Sequence, residues 1–135
     1  MDLSRFVDAQ AGVWPSAAAE LRAGRKTGHW MWFVFPQLAG LGRSPTAQFY
    51  GLPGLAEARA YLADPVLGPR LVEAAGILAG LPGSDPVAVL GSIDALKLRS
   101  SMTLFAHADP DQPVFRAVLD KFYGGAGDEA TTARL

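Results

Sequence analysis

His29-Trp30-Met31-Trp32-Phe33-Val34-Phe35-Pro36-Gln37-Leu38-Ala39-Gly40-Leu41-Gly42 is the stretch on which the reading of this chain turns. Its first seven residues hold two of the three Trp, two of the seven Phe and one of the two His, a dense block of apolar area. A Trp or Phe left in water forgoes roughly 1.5–3 kcal/mol of burial, so the block belongs in a core or along a cavity wall. Pro36 and the spaced Gly40 and Gly42 stop it, while His29 and Gln37 give it a polar handle at each end, which points to a cavity. Periodicity alone does not separate helix from buried strand where nearly every position is apolar. The neighbouring sequence decides for a short buried helix: it offers no convincing second strand, and an unpaired buried strand would leave its backbone polar groups unsatisfied.

Outward from this block the chain reads as helices with short, proline-marked joints. On the N-terminal side, Asp2 is placed to cap a helix with Leu3, Phe6, Val7 and Gln10 on one side and Gly12 at its end. Trp14-Pro15 reads as a joint, Ser16 as the N-cap of a second helix, and Gly24 as the residue just past its end. Arg25-Lys26-Thr27-Gly28 then forms a basic loop. On the C-terminal side, a Gly-, Ser- and Pro-rich loop and a helical turn over Thr46–Tyr50 precede the stretch Gly54–Ala63, with Leu55, Ala58, Arg59 and Leu62 at helical spacing. Asp64-Pro65 and Asp85-Pro86 both read as a cap followed by proline at the first helical position, opening segments to Leu78 and Leu90. Ser92 caps the most regular segment, Ile93 to Ala106, with Ala95, Leu98, Met102 and Phe105 on one face. A helix from Gln112 to Tyr123 ends at Gly124-Gly125, and Asp128 caps a last one. The expectation is an all-α, single compact domain over residues 1–135, of about seven or eight mostly short helices.

Composition narrows the function classes. Half the chain is hydrophobic and 19% is charged, which fits a packed domain rather than a disordered tail. The formal net charge of −1 gives no global pull toward nucleic acid or anionic lipid, so nucleic-acid binding ranks low despite Arg22, Arg25, Lys26 and Arg43. With no Cys, disulfides, thiolate catalysis and sulfur-ligated zinc are excluded, and two His make a His-rich metal centre improbable. No metal and no cofactor is expected. The sequence starts without a secretory apolar run and holds no bilayer-length apolar stretch, so a cytoplasmic protein with no membrane partner is expected. Oligomeric state is left open.

Three blocks carry a family resemblance: the aromatic stretch through Leu38, then Lys97-Leu98-Arg99-Ser100-Ser101-Met102-Thr103-Leu104-Phe105, then Leu119-Asp120-Lys121-Phe122-Tyr123-Gly124-Gly125. In order and spacing, together with Phe6-Val7-Asp8-Ala9-Gln10 and Tyr61 to Leu71, the chain resembles the bacterial family called domain of unknown function 1810. The resemblance implies an all-helical single domain and brings no established activity with it. Departures are small: Thr27 stands where the family usually has Ser, Val13-Trp14 where a Tyr is common, and Thr132 where a Leu is common. Such proteins sometimes carry a calpastatin label, but calpain inhibitors are long, disordered and repetitive, and this chain is short and non-repeating.

The chemistry is therefore argued from the blocks. Packing explains Trp30 and Trp32 as core residues, but it does not explain His29, Gln37, Lys97, Arg99, Ser100 and Ser101 beside the most apolar segments. A buried polar group costs about 1–3 kcal/mol if unpaired, so these groups pair with each other, with backbone or with something bound. The favoured reading is a pocket for a small phosphate-bearing or nucleotide-like ligand. Trp30 and Trp32 would stack on a flat group, and Gln37 or His29 would bond its edge. Arg25, Lys26, Lys97 or Arg99 would meet phosphate alongside Ser100 and Ser101. A first alternative is a hydrolase of ADP-ribose-type substrates, by distant analogy of pattern with the NADAR proteins that transfers no residue roles. Asp8, Glu20, Asp94, Asp120 and His29 are its acid–base candidates, with His29 first because its sequence neighbours are apolar. A second alternative is an interaction module using the loop Gly40–Pro45 or an exposed apolar patch.

Overall fold

Prolines and glycines cut this chain into short helices, and the order of the cuts sets which helix faces which. The computed structural model describes residues 2–135. It contains α1 (Ser4–Gln10), α2 (Trp14–Arg22), α3 (Met31–Val34), α4 (Pro45–Tyr50), α5 (Leu55–Ala63), α6 (Leu67–Ala79), α7 (Pro86–Leu90), α8 (Ser92–Ala108), α9 (Pro113–Tyr123) and α10 (Glu129–Thr132). These are ten helices among the described residues, more than the seven or eight expected; four of them span only four to six residues. Among the described residues the extended pairing is confined to one isolated parallel bridge, Leu38 to Leu52.

Helix α8 is the element against which α9, α5, α7 and α10 pack, and α6 packs on α9, α5 and α2. Its expected inner face is buried throughout: Leu98, Met102 and Phe105 are fully enclosed, and Ala95 nearly so. Phe105 meets Tyr61 on one side and Phe115 on the other at centroid distances of 5.5 and 5.7 Å. Each such ring contributes roughly 1.5–3 kcal/mol through area removed from water. On α6 the stripe Leu67, Leu71, Ala74 and Leu78 is likewise buried.

Several caps fall where the sequence places them. Asp85 accepts from the amides of Val87 and Ala88, and Asp128 accepts from Thr131, each satisfying orphan donors of a first turn. Asp64 Oδ1 accepts from Val66 and Leu67 at 2.9 and 3.0 Å, but α6 begins only at Leu67 with Val66 at its cap, so Asp64-Pro65 forms the turn out of α5 and not the cap and first residue of α6. Others differ. Helix α2 begins at Trp14, because Pro15 fits a first helical turn, so Ser16 lies inside the helix and not at its cap. Ser92 is the first residue of α8 and not its cap; Gly91, at φ +88°, ends α7 and starts α8 in one left-handed step that favours glycine. Asp2 bonds the amide of Ser4 at 2.9 Å from one residue outside the assigned cap.

The aromatic stretch is helical only over Met31–Val34, and its backbone is satisfied from outside. Buried Gln10 donates to the Phe33 carbonyl at 2.7 Å and the Tyr61 hydroxyl donates to it at 3.3 Å. Enclosure in this network raises the Tyr61 pKa, mainly because burial penalises the phenolate. Beyond α3, Ala39 donates to the Leu52 carbonyl at 2.7 Å and Leu52 donates to that of Gln37 at 3.0 Å. The loop after Pro36 is thus held against the end of α4, where a Cβ on Gly51 would lie 2.8 Å from the Ala39 backbone.

Candidate functional site

The aromatic stretch and the first turns of α8, some sixty residues apart, lie side by side. Lys97 Nζ sits 3.8 Å from the centre of the Trp32 ring, a cation–π contact across the boundary between the two segments. Beside it a groove of about 290 Å³ is lined by Trp32, Gln37 and Leu41 on one wall and by Ile93, Leu96, Lys97 and Ser100 on the other, with Asp128 and Ala130 closing one end.

Each wall is fixed by bonds made elsewhere. Trp30 is core, 1% exposed, and its indole N–H donates to Glu20 Oε1 at 3.1 Å. The same oxygen accepts from the amides of Thr27 and Gly28 at 2.6 and 2.8 Å, pinning the basic loop to α2. The Gly28 and Thr27 amides, against some opposition from burial, bring the Glu20 pKa down to about 2. The pinned loop presents Lys26, which bonds Asp94 at 2.8 Å; Asp94 in turn holds Lys97 at 3.2 Å. Burial raises the Asp94 pKa, but the two ammoniums outweigh it and leave the carboxyl below its ordinary value. Lys97 therefore reaches Trp32 already paired, through a carboxylate that it shares with Lys26. On the far side, Asp128 Oδ2 accepts from the hydroxyls of Ser100 and Thr131 at 2.9 and 2.6 Å and ties the C-terminal segment to α8.

Of the residues singled out from sequence, Trp32, Gln37, Lys97 and Ser100 come together in this groove. Trp30, the residue before α3, does not reach it: its ring is turned into the core, where its indole N–H is bonded to Glu20. Ser101 is fully buried, and its hydroxyl has no hydrogen-bond partner among the described residues. Arg99, two positions from Lys97 and so on another side of the helix, donates to the Ala126 carbonyl at 3.0 Å and covers Tyr123. His29 is exposed at the surface, contrary to the enclosed position its apolar sequence neighbours suggested, since the loop before α3 carries it outward. Among the acid–base candidates, Asp8 and Asp120 are exposed, and Glu20 and Asp94 are held as described. Among the described residues no cluster of three or more His, Asp or Glu is placed to hold a metal ion.

Sequence reasoning missed Leu41, Ile93, Leu96 and Asp128 as groove residues, and it took Asp94 for an acid–base candidate where it holds two lysines. One signal was available: Ile93 and Leu96 fall off the inner face of α8, so that helix had to carry apolar side chains in solvent, where they are 70% and 68% exposed. Larger depressions exist, one of about 420 Å³ beside Arg22 and Leu81 and one of about 590 Å³ beside Asp2 and Phe49. Neither gathers residues of the aromatic stretch.

Fold and groove together define a single-domain, all-helical protein in which, among the described residues, no helix is long and apolar enough to cross a membrane. The chain belongs to the family described as protein of unknown function, DUF1810, whose profile matches residues 1–135. Among curated proteins none matches it. The crystal structure of the conserved hypothetical protein Rv1873 from Mycobacterium tuberculosis is similar throughout: 55% identity, a TM-score of 0.97, and coverage of 99% of this chain and 96% of that one.

Proposed function

We propose that this protein binds a small, flat organic ligand in the groove between the loop after Pro36 and α8. The observation that carries the reading is the convergence of Trp32, Gln37 and Lys97 from distant parts of the chain onto one concave site. At about 290 Å³ the groove is near the lower end of ligand sites, which run from roughly 300 to 1,000 Å³, so it suits one ring system rather than a dinucleotide. Lys97 already covers one face of Trp32, so the ring of the ligand packs against Leu41, Ile93 and Leu96, with Trp32 and Lys97 as its neighbours.

Binding is favoured over catalysis. A hydrolase needs a carboxylate or imidazole free to move a proton, and here Asp128 holds Ser100 and Thr131 while Asp94 holds two lysines. A second reading, an apolar docking face, is favoured by the exposure of Ile93 and Leu96. Isotope-edited NMR with a panel of nucleosides, nucleotides, ADP-ribose and inorganic phosphate tests the first reading. Saturable shifts are expected at the Trp32 indole, the Gln37 side-chain amide and Leu96, with no turnover of the bound compound. Absence of any shift in this groove at millimolar concentrations would remove the ligand reading. Dilution-dependent dimers abolished by Leu96→Asp would install the docking face in its place.

A further inference from the structure

We infer that the segment after α9, residues 126–135, is a strap that shuts one end of the groove and lifts as a unit while the rest of the domain stays folded, with Asp128 as its latch. The inference deepens the ligand reading by giving that site a gate, and of that reading it needs only the groove itself. Two left-handed glycines, Gly124 at φ +61° and Gly125 at φ +82°, stop α9 and return the chain to α8. From there the segment reaches both walls. On the α8 side, Asp128 Oδ2 accepts from the Ser100 hydroxyl, and the Asp128 amide donates to Thr103 Oγ1 at 2.9 Å. On the loop side, the Arg134 guanidinium lies against Gly40, where a Cβ would sit 2.7 Å from its Nη1. Gly40 is the chain neighbour of Leu41, which lines the groove. Asp128 and Ala130, between these two attachments, form the end wall.

What holds the strap is polar. Thr131 is buried, but its hydroxyl and its amide both go to Asp128 Oδ2, at 2.6 and 3.2 Å. Ala126, Ala130, Ala133 and Leu135 stay exposed, so among the described residues the segment adds no apolar side chain to the core. A segment with so little buried apolar area opens at a lower free energy than the helices beneath it. One oxygen gathers three of its bonds, which makes Asp128 the point of release. Lifting removes the end wall and turns a short, closed-ended groove into an open-ended one.

The test is hydrogen exchange of the intact protein without ligand, followed residue by residue by NMR. The Thr132 and Ala133 amides, bonded to the Asp128 and Glu129 carbonyls, report on the strap, and those of buried Val118 and Leu119 report on α9. The strap amides are expected to exchange at least about tenfold faster than the α9 amides. Ser100→Ala removes the bond to α8 but leaves Asp128 bonded to Thr131, and should speed the strap amides by about three- to tenfold; Asp128→Ala should speed them by about tenfold or more. The Gly40 and Leu41 amides, in the wall opposite both substitutions, should shift along one line in the two variants and further in Asp128→Ala. Strap amides that exchange no faster than α9, strap rates unchanged by Ser100→Ala, or Gly40 and Leu41 unmoved would each overturn the inference. Any of these leaves the ligand panel to judge the groove on its own, whereas a panel without shifts removes the ligand and leaves the exchange of the strap untouched.

Discussion

Glu20 offers the sharpest test of how the groove is held. Its Oε1 accepts three hydrogens, from Gly28, Thr27 and the Trp30 indole, and two of the three donors belong to the loop that delivers Lys26 to Asp94. A carboxyl held at about 2 instead of 4.5 corresponds to at most about 3 kcal/mol, and because the side chain is partly exposed, solvent screening reduces this to about 1–2 kcal/mol. Its folded pKa is depressed, so this contribution is complete above the unfolded value near 4.5 and is lost as pH falls from there toward 2. Glu20→Gln keeps the acceptor oxygen but not the charge. The variant should be about 1–2 kcal/mol less stable than the parent at pH 7, and the gap should close toward zero between pH 4.5 and 2. Asp94 and Asp2 also have lowered pKa values, but they titrate in both proteins and cancel in the comparison. Urea unfolding followed by tryptophan fluorescence at several pH values measures the gap directly. A gap that stays constant with pH would show that the charge of Glu20 has no part in pinning the loop.

Three further outcomes follow from the packing. Gly68→Ala would place a Cβ 2.0 Å from the Leu62 carbonyl oxygen, backbone that has no rotamer to yield. Against a helix-propensity gain of about 1 kcal/mol, the overpacking should cost about 3 kcal/mol net and lower Tm by about 10 °C in calorimetry. Ser101→Ala removes a buried hydroxyl that bonds nothing among the described residues, so chemical denaturation should show a gain of up to about 1 kcal/mol. Trp32→Ala should cost about 1–3 kcal/mol, less than a fully buried Trp, because the ring is half-buried, whereas exposed His29→Ala should stay within about 0.5 kcal/mol. Equal costs for these last two in denaturant titrations would contradict the placement of both side chains.

Much of the fold was written locally. Asp85-Pro86 and Asp128 carry their caps in the chain itself, and the inner faces of α6 and α8 repeat at helical spacing, so these elements follow from chemistry within a few residues. The all-helical class followed from the same signals, and so did a helix within the aromatic stretch. Its length did not, because α3 owes its short span to a carbonyl bonded by Gln10 and Tyr61, which come from elsewhere in the chain. For the site, the sequence placed the tryptophans and the later cations near something apolar, but it could not sort them. Lys97 faces Trp32 and Arg99 faces Tyr123 because a step of two residues turns a helix by more than half a circle, and only the packing of α8 fixes which half meets α3. The sequence thus determined the helices, their caps and the apolar stock of the core. Tertiary structure decided what the groove presents: Asp94 and Lys97 are three residues apart on one helix, but the reach of Lys26 to that carboxylate and of Lys97 to Trp32 are matters of distance between segments, which no local pattern contains.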